Sequence, residues 1–125
     1  MDPIYFILQK LRKRPGLYLG ETSLTALGHF LNGYTFRLAI EIWMKKTGLD
    51  VTINYDLFIR SPNAYDADTD RFSFLSDFDS FIHNYYQDNT TNDWVKIISE
   101  NSSSQIEAFD KFYELFDSYM DKKEK

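Results

Sequence analysis

A chain of 125 residues has room for one domain whose core needs no covalent staples, and the absence of cysteine excludes disulfides, thiol catalysis and cysteine-ligated zinc. The formal net charge of −5 speaks against a general nucleic-acid binder, and no run approaches the roughly 18 apolar residues of a membrane span. Lys10, Arg12, Lys13 and Arg14 follow the first apolar stretch instead of preceding it, which is not the order of a signal peptide, so a soluble, cytoplasmic protein is expected.

In chain order, Asp2 is a candidate N-cap and Pro3 fits a first helical position. Ile4, Ile7, Leu8 and Leu11 then fall on one stripe, which predicts a helix over about 3–13. Pro15-Gly16 stops it, because Pro disfavours helical geometry in Arg14. Thr22 or Ser23 caps a long helix over 23–47, in which Leu24, Leu27, Leu31, Tyr34, Leu38 and Ile42 recur in steps of three and four. A second stripe of Ala26, Phe30, Ile40 and Trp43 makes this helix apolar over much of its circumference, as befits a central element. Lys45 and Lys46 suit its last turn and Gly48 its stop.

VTINYDLFI at 51–59 alternates like a strand, yet no other segment offers it a partner, so an irregular or partly helical segment is expected. SPNAYDADTD at 61–70 reads as an exposed loop. Phe78, Phe81, Ile82 and Tyr85 predict a helix over 77–87, and Thr91 a cap for a short helix with Trp94, Ile97 and Ile98. Ser104-Gln-Ile-Glu107 is a capping box opening a last helix with Ile106, Phe109, Phe112, Phe116 and Tyr119. The expected architecture is all-α: one domain over 1–121 with about five helices around the long central one, an irregular acidic middle, and a frayed tail at 122–125.

Three motifs invite a chemical reading. KRPGLYLGE at 13–21 followed by a long helix bearing Asn32 resembles the N-terminal segment of the gyrase B type of ATPase. That nucleotide site needs later glycine-rich turns, and none of the five glycines lies beyond Gly48. The stretch is therefore read as a structured turn, with Leu17 and Leu19 anchored in the core and Gly20 allowing tight backbone. DADTDRFSFLSD at 66–77 matches a calcium loop at its aspartates, but Arg71 stands where the sharp turn needs Gly, so a solvated acidic loop is expected. His29 and His83, the two histidines, have no triad or nucleophile-elbow context. No catalytic residue, cofactor or metal ligand is assigned, and the basic cluster Lys10–Arg14 has no matching patch elsewhere to make a nucleic-acid surface.

Charge is the clearest functional signal. Residues 1–50 carry +3 and residues 51–125 carry −8; from Asp56 to Asp93 eight aspartates face two arginines. Tyr55, Tyr65, Tyr85 and Tyr86 are interleaved with them. Short carboxylates and tyrosines suit an interface with a positively charged cleft. Asp66, Asp68, Asp70, Asp77, Asp79, Tyr55, Tyr65, Tyr85 and Tyr86 are the candidate partner-binding residues. A solvated face with Asp77, Asp79 and Asp93 favouring helix N-termini accounts for the same charges.

The pattern KRPGLYLGE, with Ser23-Leu24, Leu27 and FLNGY at 30–34, is similar to small bacterial immunity proteins of polymorphic toxin and contact-dependent growth inhibition loci. The likeness is firmest over 12–34 and continues loosely through Trp94, Ile97-Ile98 and the last aromatic helix. The motif is structural, so no functional residue is carried over. The resemblance implies a non-enzymatic, stoichiometric inhibitor that binds the cognate toxin domain, a basic RNase or DNase being the expected kind, and covers or distorts its active site. The acidic segment would stand in for phosphates. No membrane and no direct nucleic-acid contact is implied. The competing expectation is a helical regulatory or scaffold domain acting as a homodimer.

Overall fold

The structure, a computed structural model, describes residues 3–60 and 69–124, and the side chains of 3–60 and 75–123. Seven helices are present among the described residues: α1 (Ile4–Lys13), α2 (Pro15–Leu19), α3 (Leu24–Thr47), α4 (Tyr55–Arg60), α5 (Thr69–Tyr86), α6 (Trp94–Glu100) and α7 (Gln105–Glu124). The all-α class therefore stands, with two short helices more than periodicity indicates. None of the helices is long and apolar enough to cross a membrane, over the described residues. The chain forms two compact units, Met1–Phe30 with Phe74–Lys125, and Leu31–Ser73.

In the first unit α1 opens at Pro3, which has helical dihedrals and whose carbonyl accepts the N–H of Ile7 at 3.0 Å; the Asp2 cap lies outside the described residues. Arg14 (φ −143°, ψ 63°) breaks the helix, and Pro15 starts a new turn, because its fixed φ suits a first helical position. Gly20, at φ +81°, closes that turn by donating to the Gly16 carbonyl at 3.0 Å. Leu17 does not anchor in the core as expected. It is 62% exposed beside exposed Tyr18, because a single helical turn cannot direct three consecutive apolar residues inward; Leu19 is half-buried.

Ser23 caps α3: its Oγ accepts the Ala26 N–H at 3.2 Å. Gln105, the first residue of α7, ties that end down, its Oε1 accepting from the Thr25 N–H at 2.8 Å and the Ser23 hydroxyl at 3.2 Å while its amide donates to Ser99 Oγ at 3.2 Å. Gly28 lies against α6, where an added Cβ would come within 3.0 Å of Val95 Cγ2. The tightness of that approach explains a glycine inside a helix.

The core of this unit is built of rings. Phe78, fully buried, stands edge-on to Trp94, Phe112 and Tyr119 at centroid distances of 5.4, 5.4 and 5.5 Å. Burial of such a ring stabilises by about 2–3 kcal/mol, and each well-placed ring pair adds about 0.5–1.5 kcal/mol. Ile4, Leu8 and Leu11 of α1, Leu24 and Leu27 of α3, and Ile97 and Ile98 of α6 are buried as well. The Tyr113 hydroxyl donates to the Leu8 carbonyl at 2.5 Å, and burial pushes this phenol well above its usual range.

α5 begins at Thr69, so residues 69–76, expected as part of an acidic loop and its approach, are the first turns of a helix. The second half of the calcium-loop match therefore has helical backbone, which cannot wrap an ion. Asp77 and Asp79 consequently lie mid-helix and favour no N-terminus of their own helix. α6 is capped by Asp93, not Thr91: Asp93 is extended (φ −78°, ψ 170°) and its Oδ1 accepts from the Lys96 N–H at 2.9 Å. α7 starts as the capping box predicts, Ser104 Oγ accepting from the Glu107 N–H at 3.1 Å, although the Glu107 carboxylate reaches back to the Ser103 hydroxyl. It runs to Glu124, three residues past the boundary expected at 121.

Among the described residues the second unit holds the rest of α3, a turn, α4 and the first residues of α5. The Gly48 N–H donates to Met44 at 2.9 Å and ends α3 where expected. Asp50 Oδ1 accepts from both the N–H (2.9 Å) and the hydroxyl (2.7 Å) of Thr52, and these bonds hold the carboxyl below its usual range. The Asn54 carbonyl then accepts from Leu57 and Phe58, so the alternating segment is partly helical. Trp43 and Phe58 form the core, edge-on at 5.6 Å, with Ile40, Met44 and Val51 packed against them.

Candidate partner-binding groove

Three element ends of the first unit meet around an open cavity of about 520 Å³, lined by Tyr85, Tyr86, Asn101, Ser102, Glu107, Asp110, Lys111 and Glu114. The tyrosines are the last residues of α5. Gln87, at φ +52°, breaks the helix there, and the Asp88 N–H closes back on the His83 carbonyl at 2.9 Å. Consecutive positions on a helix diverge by about 100°, so the two rings meet edge-on, 4.8 Å between centroids and 79° between planes. Asn101 and Ser102 end α6, each side chain donating at 2.8 Å to a carbonyl of the preceding turn, Ile97 and Ile98 respectively.

The far wall is the outer face of α7. Ala108, Phe109, Phe112, Tyr113, Leu115, Phe116 and Tyr119 take the buried side of that helix. Glu107, Asp110, Glu114, Asp117 and Asp121, three and four apart, take the exposed side. The first three border the groove, and Asp117 leaves it to bind Arg12 in bidentate fashion at 2.6 and 2.9 Å.

Within the groove Lys111 Nζ lies 5.4 Å from the Tyr85 ring centroid and 3.2 Å from Glu114 Oε1. The Tyr85 hydroxyl and then Glu114 hold this ammonium above its usual value, against partial burial. Burial raises the Tyr86 phenol, opposed by the charge of Lys111. Three carboxylates against one lysine leave the lining with a formal −2.

A shallower depression of about 380 Å³ lies between α5 and the end of α7, lined by Asp77, Ser80, Phe81, Asn84, Tyr119, Lys122 and Lys123. Its lysines cover rings, Lys122 over Phe81 at 5.2 Å and Lys123 over Tyr119 at 5.4 Å, and Lys123 approaches Asp77 at 3.6 Å.

The expected site residues thus separate. Tyr85 and Tyr86 come together in the groove. Asp77 is ion-paired in the second depression. Asp79 bonds within the fold. Its Oδ1 accepts from the Trp94 N–H at 2.9 Å, at the start of α6, and its Oδ2 lies 3.3 Å from His83 Nε2. Tyr55, 58% exposed, is the first residue of α4 in the other unit. Asp70 is in the first turn of α5 with its side chain outside the described set, and Tyr65, Asp66 and Asp68 lie outside the described residues. Glu107, Asp110, Lys111 and Glu114 are not among the expected residues. Their signal is the 107-110-114 spacing on a helix whose opposite side is aromatic, and a count of charge by segment passes over it.

His29 is exposed, whereas His83 is held between Asp79 and the Asp88 carbonyl, 2.9 Å from its Nδ1. Of the basic cluster, Arg12 is engaged with Asp117 and lies over the Tyr113 ring at 4.9 Å. Ring faces and carboxylate oxygens are groups that attract positive charge. No family model, curated protein or solved structure matches the chain.

Proposed function

We propose that this protein is a stoichiometric inhibitor of the immunity type, which binds a basic toxin domain and blocks its active site without catalysis. The observation that carries the reading is the groove itself: two tyrosine rings opposite three carboxylates on one helix face, net negative and open to a partner. Such a surface attracts a substrate cleft built for phosphates, speeds the encounter and sets its register. A nuclease is the target class this chemistry fits, and Asp66, Asp68 and Asp70 add negative charge to the chain. The cytoplasm, where such a toxin acts, is the proposed place of action.

The test is co-expression with the toxin domain encoded beside the chain. Growth rescue and co-purification are expected, with affinity falling as salt rises. A variant carrying Tyr85→Ala, Tyr86→Ala, Glu107→Gln, Asp110→Asn and Glu114→Gln should lose affinity at least about tenfold and flatten the salt response. Undiminished rescue and affinity in that variant would remove the groove from the interface. The second reading, a homodimeric scaffold, draws on Ile53, Leu57 and Ile59, exposed by 78, 52 and 71%. A sedimentation mass that doubles with concentration would favour it.

A further inference from the structure

We infer that the groove is a socket for one arginine side chain of the partner, whose guanidinium replaces the Lys111 ammonium over the Tyr85 ring; the inference rests on the inhibitor reading and gives its interface a chemical anchor. The cavity, about 520 Å³, falls within the range of sites that enclose small ligands, and one arginine fills only part of it. Independently of the carboxylates, the ring of Tyr85 already carries a cation, Lys111 Nζ at 5.4 Å. The chain's own lysine therefore occupies the position a partner's cation would take.

A partner's cation competes with that occupant for two groups, the Tyr85 hydroxyl and Glu114. The pair with Glu114 joins residues three apart on one helix, and with Glu114 largely exposed it is the kind that contributes little. Asp110, exposed and in no ion pair among the described residues, and Glu114, freed of Lys111, then offer acceptors to the incoming group. A guanidinium gains more here than a second ammonium. It is planar, so it stacks on Tyr85 while its edge donates two parallel bonds to a carboxylate, and it is more weakly hydrated. With a formal −2 in the lining, one arriving positive charge leaves the site still negative, so Lys111 can remain nearby in solvent.

The experiment titrates the whole protein with a blocked Gly-Arg-Gly peptide and its citrulline counterpart, which keeps the shape and removes the charge, while amide and side-chain NMR shifts are followed. Shifts confined to Tyr85, Tyr86, Asp110, Lys111 and Glu114 are expected with the arginine peptide, and binding at least about tenfold weaker with citrulline. Lys111→Met, which empties the ring, should tighten arginine binding about threefold to tenfold; Lys96→Met, which removes an equal charge from α6, should leave it within about twofold. Equal binding of the two peptides, shifts outside the groove, or equal effects of the two lysine variants would overturn the socket. Absence of peptide shifts while the toxin still binds refutes the socket alone; peptide binding without toxin binding refutes the inhibitor reading alone.

Discussion

The two units of the chain solve the problem of stability differently. In the first, rings form a continuous core around Phe78, and polar bonds join residues far apart in sequence: Arg12 to Asp117, Tyr113 to Leu8, Thr25 to Gln105, Trp94 to Asp79. Among the described residues of the second, Trp43 meets Phe58 with Ile40, Met44 and Val51 packed against them, and bonds such as Thr47 to the Trp43 carbonyl, Asp50 to Thr52 and Asn54 to Asp50 join residues within four of one another. Ile53 and Ile59 remain largely exposed there. Long-range contacts lose chain entropy when they form and then act together, whereas local ones form and open piecemeal. A binding groove gains from the first kind of framework, because its walls belong to three separate helices that must keep their spacing.

The strongest way to test that contrast is Phe78→Ala. A fully buried ring paired with Phe81, Trp94, Phe112 and Tyr119 should cost about 4–5 kcal/mol in chemical denaturation, enough to endanger the fold. Trp43→Ala should cost less, about 3 kcal/mol, because Trp43 keeps 7% of its surface open whereas Phe78 keeps none; hydrogen exchange should locate the loss in 31–60. Equal costs for the two would erase the distinction.

The smallest effect is the pH response of His83. The Asp88 carbonyl first, then the charge of Asp79, together with the backbone of Asn92 and the charge of Asp88, hold this imidazole above its ordinary value of 6.5. A folded-state pKa above the unfolded one means that the stabilisation is fully present below pH 6.5 and fades as pH rises through the folded value. Denaturation midpoints should therefore drift down from pH 6.5 to 8, and His83→Gln should flatten that drift. An unchanged slope in the variant would show that the α5–α6 junction gains nothing from the proton.

How much of this is legible in the sequence depends on length of pattern. The stripes of α1, α3 and α7 persist over several turns, and Ser23, Ser104 and Gly48 mark ends by side-chain and backbone chemistry that acts locally. α2 and α4 have five and six residues, too few for a helical period to show, and α4 even carries a strand-like alternation that the Asp50–Thr52 turn and the Trp43–Phe58 contact override. The start of α5 is hidden because its first residues are polar turn formers. For the groove, Tyr85 and Tyr86 stand out because aromatic residues beside aspartates are conspicuous along a chain. Glu107, Asp110 and Glu114 join them only through the packing of α5 and α7, which no linear count contains.

The carboxamide of Gln105 works in two directions at once. Its oxygen serves Ser23 and Thr25 while its nitrogen serves Ser99, so one planar group fastens the beginnings of two helices to the closing turn of a third. Only an amide offers both polarities at that reach. An acid at this position would leave the serine and threonine bound and strip Ser99 of its donor, a one-sided loosening beneath α6.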